Sequence, residues 1–229
     1  MLWVSLALLG GIVVCAFLVP EAAIDHPVDQ GPSLSVIIKR REVASLLAAC
    51  FLMSAAHGAL YVFLSIYLVE HHYRTTVLGW LWSIGVVAEI FVFLFMPRLL
   101  RRFAIRDILL FSFASAVGRF LLIGWGVDHA ALIVIAQLMH GATFGAYHAA
   151  AVAAINKLFP GRHTARGQAL YSSVSFGAGG MVGGALSGYT WGAVGGPATY
   201  TLSSVIALIG ILVLARGCRG TNALGEVAR

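Results

Sequence analysis

Apolar runs separated by short polar stretches occupy residues 2–19, 43–69, 77–96, 108–125, 130–155, 170–191 and 197–215. Each is close to the ~20 residues that a helix needs to cross the hydrocarbon core of a bilayer. The pattern predicts seven transmembrane helices and an all-α membrane protein. The one long polar stretch, residues 20–42, contains Asp25, Pro27, Asp29, Gly31 and Pro32 and ends in Lys39, Arg40 and Arg41; it reads as a linker. The first run has no basic segment ahead of it and no small-residue cleavage site after it, so it reads as a retained span. The fifth run breaks the apolar rule. Gln137, His140, Phe144, Tyr147 and His148 fall within an arc of about 140° on a helix advancing 100° per residue. Lipid cannot satisfy such a face, which predicts that it looks at protein or at water-filled space.

Composition supports the class. Hydrophobic residues make up 60% of the 229 and charged residues only 10%, against about a quarter charged in soluble domains. The 26 glycines suit close helix approach in lipid. Cys15, Cys50 and Cys218 are too few and too scattered for a disulfide framework or a zinc site. No His-x-x-x-His or His-Glu-x-x-His spacing is present, so neither a metal nor another cofactor is expected, and no catalytic residues.

The formal charge of +6 follows the membrane, not a nucleic acid. Thirteen of the fifteen Lys and Arg residues fall in the linker, in alternate loops and in the tail; Arg74 faces the other side and Arg119 lies inside a span. Cytoplasmic loops carry the Lys/Arg excess. The expectation is a multi-pass protein of the inner (plasma) membrane with a cytoplasmic C-terminus.

Isolated polar residues at mid-span are the candidate chemistry. His57 lies in the second run with Ser54 and Tyr61 on its face, Glu89 in the third with Trp82, Gly85 and Phe93, and Arg119 in the fourth with Ser112 and Ser115. A charge at the centre of a spanning helix costs about 2.5–3.5 kcal/mol on insertion scales. Glu89 and Arg119 are therefore expected to face each other, or His140, across the bundle. They could form a structural ion pair, or with an imidazole they could carry a proton relay. His148, nearer the cytoplasmic end, is the weaker candidate. The sixth run holds the pairs Gly179/Gly183, Gly180/Gly184 and Gly184/Gly188, which read as helix packing or as a hinge. Trp80 and Trp82 fit an interfacial belt or a cavity wall.

The segments 57–67, 79–89 and 137–140, with the basic loop 98–107 leading to Arg119, resemble the 3-phenylpropionic acid transporter-like branch of the major facilitator superfamily. That branch is close to the nucleoside– and oligosaccharide–proton symporters. The resemblance implies a leading helix equivalent to helix six (residues 1–19), a cytoplasmic linker (20–42), a six-helix bundle equivalent to helices seven to twelve (43–217), and a tail (218–229). In lactose permease-type relatives a helix-eight Glu, a helix-nine Arg and a helix-ten His serve substrate binding and proton coupling; by position these roles fall on Glu89, Arg119 and His140. The sugar symporters place an acid one turn after that His, where this chain has Thr143 and Phe144. The implied function is proton-coupled uptake of a small organic substrate such as an aromatic carboxylate. Glu89 would be the proton carrier, Arg119 would hold it ionised or take a substrate carboxylate, and His57, His140, Gln137 and Tyr147 would be substrate or proton ligands. Helices one to five have no counterpart here, so a second transporter half or a homodimer is the expected partner. The alternative is a non-transporting fragment or scaffold.

Overall fold

The computed structural model describes residues 33–218 together with Gly10, Gly11, Cys15 and Leu224. Most of the first predicted span and of the predicted linker and tail lie outside the described residues. The chain divides into two units, Met1–Gly31 and Pro32–Arg229, and the architecture below is that of the second.

The helices are α1 (Leu34–Ile38), α2 (Arg41–Ala56), α3 (Gly58–Glu70), α4 (Thr75–Arg102), α5 (Ile105–Gly126), α6 (Ala130–Leu138), α7 (Tyr147–Leu158), α8 (Thr164–Ser172) and α9 (Gly180–Gly217). Segments of π-helix, Gly141–Ala146 and Ser173–Gly179, join α6 to α7 and α8 to α9. The described residues contain no strand, as expected of chain that must satisfy its backbone internally in lipid. Charges sit where helix ends favour them: Glu42 and Asp107 in first turns, Arg101 and Arg102 in a last turn.

Among the described residues, five stretches are long and apolar enough to cross a membrane. They are Arg41–Glu70, Thr75–Arg102, Ile105–Gly126, Ala130–Leu158 and Gly161–Gly217. Six runs were expected in this region; the last two are joined here into one stretch of 57 residues. That stretch doubles back at Gly195, whose φ of 80° and ψ of 179° lie in a region only glycine enters readily. Before Gly195 its residues advance in step with the first stretch: Gly179 lies against Phe51, Gly183 against Ala55, and Trp191 stacks on Phe63 at 4.5 Å. After Gly195 the order reverses. Tyr200 bonds the Ala59 carbonyl, and Arg41 Nη2 donates to the Arg216 carbonyl at 3.0 Å.

Three local expectations are corrected. The third span does not stop at Met96, because the helix carries Pro97 within it and continues to Arg102, where two arginines complement the helix dipole. His57 is not inside an unbroken helix but at the joint of α2 and α3, with φ −77° and ψ −8°. The joint keeps its ladder through His57 N to Met53 O at 3.2 Å and Tyr61 N to His57 O at 3.1 Å. The fifth span is not one α-helix, so a uniform 100° advance misplaces the residues beyond Gly141.

Close helix contacts rest on glycine. A Cβ on Gly58 would enter the Gly183 backbone, and one on Gly183 would enter Ala55. Of the small-residue pairs, Gly179 and Gly183 face α2, whereas Gly180 and Gly188 have open space beside them. Packing accounts for the first pair. At one end of the bundle, Tyr73 O–H donates to the Val127 carbonyl at 2.7 Å and His71 Nδ1 lies 2.7 Å from Asp128 Oδ1, so the α3–α4 turn is tied to the end of α5.

Candidate functional site

Among the described residues, Arg119 is the largest wholly buried side chain, at 0% exposure on α5. Its Nε donates to the Ala136 carbonyl at 2.8 Å, its Nη1 to Thr143 Oγ1 at 2.9 Å, and its Nη2 to Gln137 Oε1 at 3.4 Å. A further Nη1 bond reaches His140 Nδ1 at 2.9 Å. Every partner is neutral, and among the described residues Arg119 makes no ion pair. Four of its five N–H donors are engaged.

The bond to His140 decides a tautomer. A guanidinium only donates, so His140 Nδ1 accepts and the ring proton of the neutral imidazole sits on Nε2. That nitrogen lies 3.6 Å from Glu89 Oε2. The order is therefore Glu89, His140, Arg119, with the imidazole between acid and cation. Glu89 and Arg119 do not touch directly; the alternative in which each faces His140 holds. Glycines permit the approach. Gly85 backs onto Gln137 and His140, Gly141 onto the Ala88 carbonyl, and Gly145 onto Glu89.

The π segment begins immediately after His140, and π-bulges within helices are frequent at functional sites. His140, Phe144 and His148 stack as a ladder, with ring centroids 5.4 and 5.9 Å apart and interplanar angles of 11°. His148 is bound in turn by Tyr171, its Nδ1 lying 3.0 Å from the hydroxyl. Tyr147 leaves this face. It is 3% exposed and donates to the Cys50 carbonyl at 3.4 Å, an acceptor shared with Ser175 Oγ at 3.0 Å.

Beside the cluster lies a narrow cleft of about 20 Å³, room for one water, whose walls include Met53, His57, Tyr61, Phe144, Tyr147 and Phe176. Thr143 also lines it, so one residue touches both the cleft and Arg119. His57 is 3% exposed; its Nδ1 lies 2.9 Å from the Met53 carbonyl, and its Nε2 has no hydrogen-bond partner. Gln137 Nε2 is likewise buried without a partner.

Of the six residues expected from sequence, the structure thus brings Glu89, His140, Arg119 and Gln137 together. It sets His57 and Tyr147 on the neighbouring cleft. Trp82 turns inward to donate to Ser65 Oγ at 3.1 Å, while Trp80 is 72% exposed. Sequence reasoning missed Thr143 as an Arg119 acceptor, and the Ala136 and Cys50 carbonyls. Thr143 was visible as the second polar residue within a turn of His140; backbone acceptors leave no mark in a sequence.

Fold and site together define a helical, multi-pass membrane protein with a buried polar cluster between apolar spans. Residues 2–202 match the model of the MFS_1 like family, and the chain belongs to that family of transporter-like membrane proteins. It is 33% identical over 175 residues to the Escherichia coli (strain K12) protein named "Probable 3-phenylpropionic acid transporter", covering 75% of this chain and 44% of that protein. It is 27% identical over 194 residues to "Putative nucleoside transporter YegT" of the same organism, covering 80% of this chain and 44% of the relative. The chain spans less than half the length of the curated relatives it matches.

Proposed function

We propose that residues 41–217 make six crossings and form the C-terminal half of a proton-coupled secondary transporter of the inner membrane. Its C-terminus is cytoplasmic and its substrate a small organic molecule such as an aromatic carboxylate. The observation that carries the reading is the line Glu89 Oε2, His140 Nε2, His140 Nδ1, Arg119 Nη1, with distances of 3.6 and 2.9 Å. The Glu89 side chain is 19% exposed, against 10% for His140. It takes and releases the coupling proton at the wet end of the line. His140 presents its Nε2 proton to the ionised carboxylate and so steadies that state. Arg119 fixes the imidazole and adds its charge, and with four donors engaged it acts through His140 rather than as a first ligand of substrate.

Uptake of 3-phenylpropionate into cells or proteoliposomes tests this. An inward proton gradient is expected to drive uptake. Glu89→Gln is expected to lower gradient-driven uptake at least tenfold while leaving exchange of labelled for unlabelled substrate intact. Equal gradient-driven uptake by Glu89→Gln sinks the assignment.

A second reading, that the chain works only against a second half, is favoured by α4. Only 17% of its most apolar window is buried, against 44–61% for the other stretches. A partly exposed Glu89 on that helix cannot face lipid without cost. Another protein surface, from a second half or a copy of this chain, encloses a wet cavity there. Native mass spectrometry from detergent tests it: a single-chain species that transports on its own overturns the pairing.

A further inference from the structure

At one end of the bundle, α4, α5 and the π segment Gly141–Ala146 leave a lateral groove between them. It encloses about 480 Å³ and is walled by Val92, Leu99, Phe103, Ile108, Phe111 and Ala142. That volume lies within the ~300–1,000 Å³ of ligand pockets, and no step of the transport reading uses it. Its length follows from the helix that lines it. From Val92 to Phe103 the chain advances eleven residues, about 16 Å at 1.5 Å per residue. The hydrocarbon core of a bilayer is ~30 Å thick, so the groove is about as deep as one leaflet. Its lining is apolar until the mouth, where Asp107 stands in the first turn of α5.

The mouth is basic. Arg98, Arg101 and Arg102 are exposed on the last turns of α4. The Arg102 guanidinium lies 5.7 Å from the centroid of the Phe103 ring, which itself walls the groove. One turn further in, the Arg98 guanidinium lies over the Phe95 ring at 5.6 Å. Among the described residues no carboxylate pairs with any of the three arginines. Against them stands one acid, Asp107, exposed and likewise outside any ion pair. An apolar channel one leaflet deep that ends in unpaired guanidiniums matches a molecule with a hydrocarbon tail and an anionic head.

We propose that this groove binds an anionic phospholipid drawn from the bilayer. One acyl chain lies along Val92, Leu99 and Phe103, and Arg102, with Arg98 beside it, holds the phosphodiester. A planar guanidinium meets a phosphate through two parallel N–H···O bonds. Asp107 opposes the head by its like charge and so weakens the site. The groove shares no residue with the line from Glu89 through His140 to Arg119. The proposal rests on the chain crossing the membrane, and on neither proton coupling nor the nature of the substrate.

The test is native mass spectrometry of the delipidated full chain in detergent. The probes are phosphatidylglycerol, phosphatidylethanolamine and phosphatidylcholine with identical acyl chains. Phosphatidylglycerol is expected to bind about fivefold more tightly than either of the others, the worth of one basic residue near an anionic lipid. In the double variant Arg98→Gln, Arg102→Gln that preference is expected to shrink to within about twofold, and in Asp107→Asn to grow. Ala142→Phe, which fills the groove, is expected to weaken binding of all three lipids alike. Inorganic phosphate is expected not to displace the lipid, because the head alone does not fill the groove. Equal binding of the three lipids, a preference for the ethanolamine head, displacement by phosphate, or a phosphatidylglycerol preference that survives the double variant overturns the proposal. So does a lipid adduct carried by the single chain and lost from a dimer, which assigns the groove to a second copy. If Ala142→Phe does not fold, the substitutions at the exposed Arg98, Arg102 and Asp107 decide alone.

Discussion

Arg119 is held by acceptors that carry no net charge, an arrangement that depends on geometry more than on Coulomb attraction. A planar fork with five donors fits the Ala136 carbonyl, Thr143, Gln137 and His140 at once. A lysine has three donors on one atom and cannot span the four. Arg119→Lys is therefore expected to leave at least one buried acceptor unpaired, at about 1–3 kcal/mol, seen as a lower thermal midpoint in detergent. Thr143→Val, which removes one acceptor, is expected to cost less than Arg119→Lys; an unmoved midpoint in both would contradict the network. At this scale the sequence was informative about which residues are costly in lipid and uninformative about who meets whom. Arg119 and Glu89 stood out as ions within apolar runs. That His140 lies between them depends on the α4–α6 approach at Gly85 and Gly141, which no single run records.

The helical elements were legible because apolar length and polar interruptions are local properties. The joints were not. The π segment at Gly141–Ala146 depends on Gly141 and Gly145 fitting against Ala88 and Glu89 of another helix, and the doubling-back depends on the backbone of Gly195. Gly195→Ala must hold a side chain at φ 80°; it is expected to cost about 1–3 kcal/mol. Gly183→Leu is expected to abolish the monodisperse peak in size-exclusion chromatography, whereas Gly188→Ala, with nothing within 4 Å, is expected to leave it unchanged. The turn between α3 and α4 adds a pH dependence. Burial first, and the Asp128 carboxylate second, hold the Tyr73 phenol above its ordinary value. The folded state keeps that proton where the unfolded chain has lost it, so the contribution is complete below about pH 10 and fades as the pH rises further. The thermal midpoint of the native protein is expected to fall more steeply above pH 10 than that of Tyr73→Phe.

At the scale of the whole molecule, the distribution of basic residues predicts sidedness that the fold makes testable. His72→Cys, in the α3–α4 turn, is expected to react with a membrane-impermeant maleimide added outside intact cells, and Lys157→Cys, at the end of α7, only after permeabilisation. Labelling in the opposite order reverses the proposed orientation. The length of the chain against its relatives leaves its partner a matter for the pairing test, but one property needs no partner. An imidazole conducts protons only when it can gain one at one nitrogen and shed one at the other. At His140 the second nitrogen is blocked by a guanidinium donor that does not release its proton. On the proposed function, the histidine is a closed end: its Nε2 already bears a proton and its Nδ1 lone pair is taken, so the proton on Glu89 must leave by the way it came. The consequence is bioenergetic. A cell can leave this protein in its membrane without draining the proton gradient through it, and Arg119→Gln is expected to raise passive proton entry into proteoliposomes where the native protein does not.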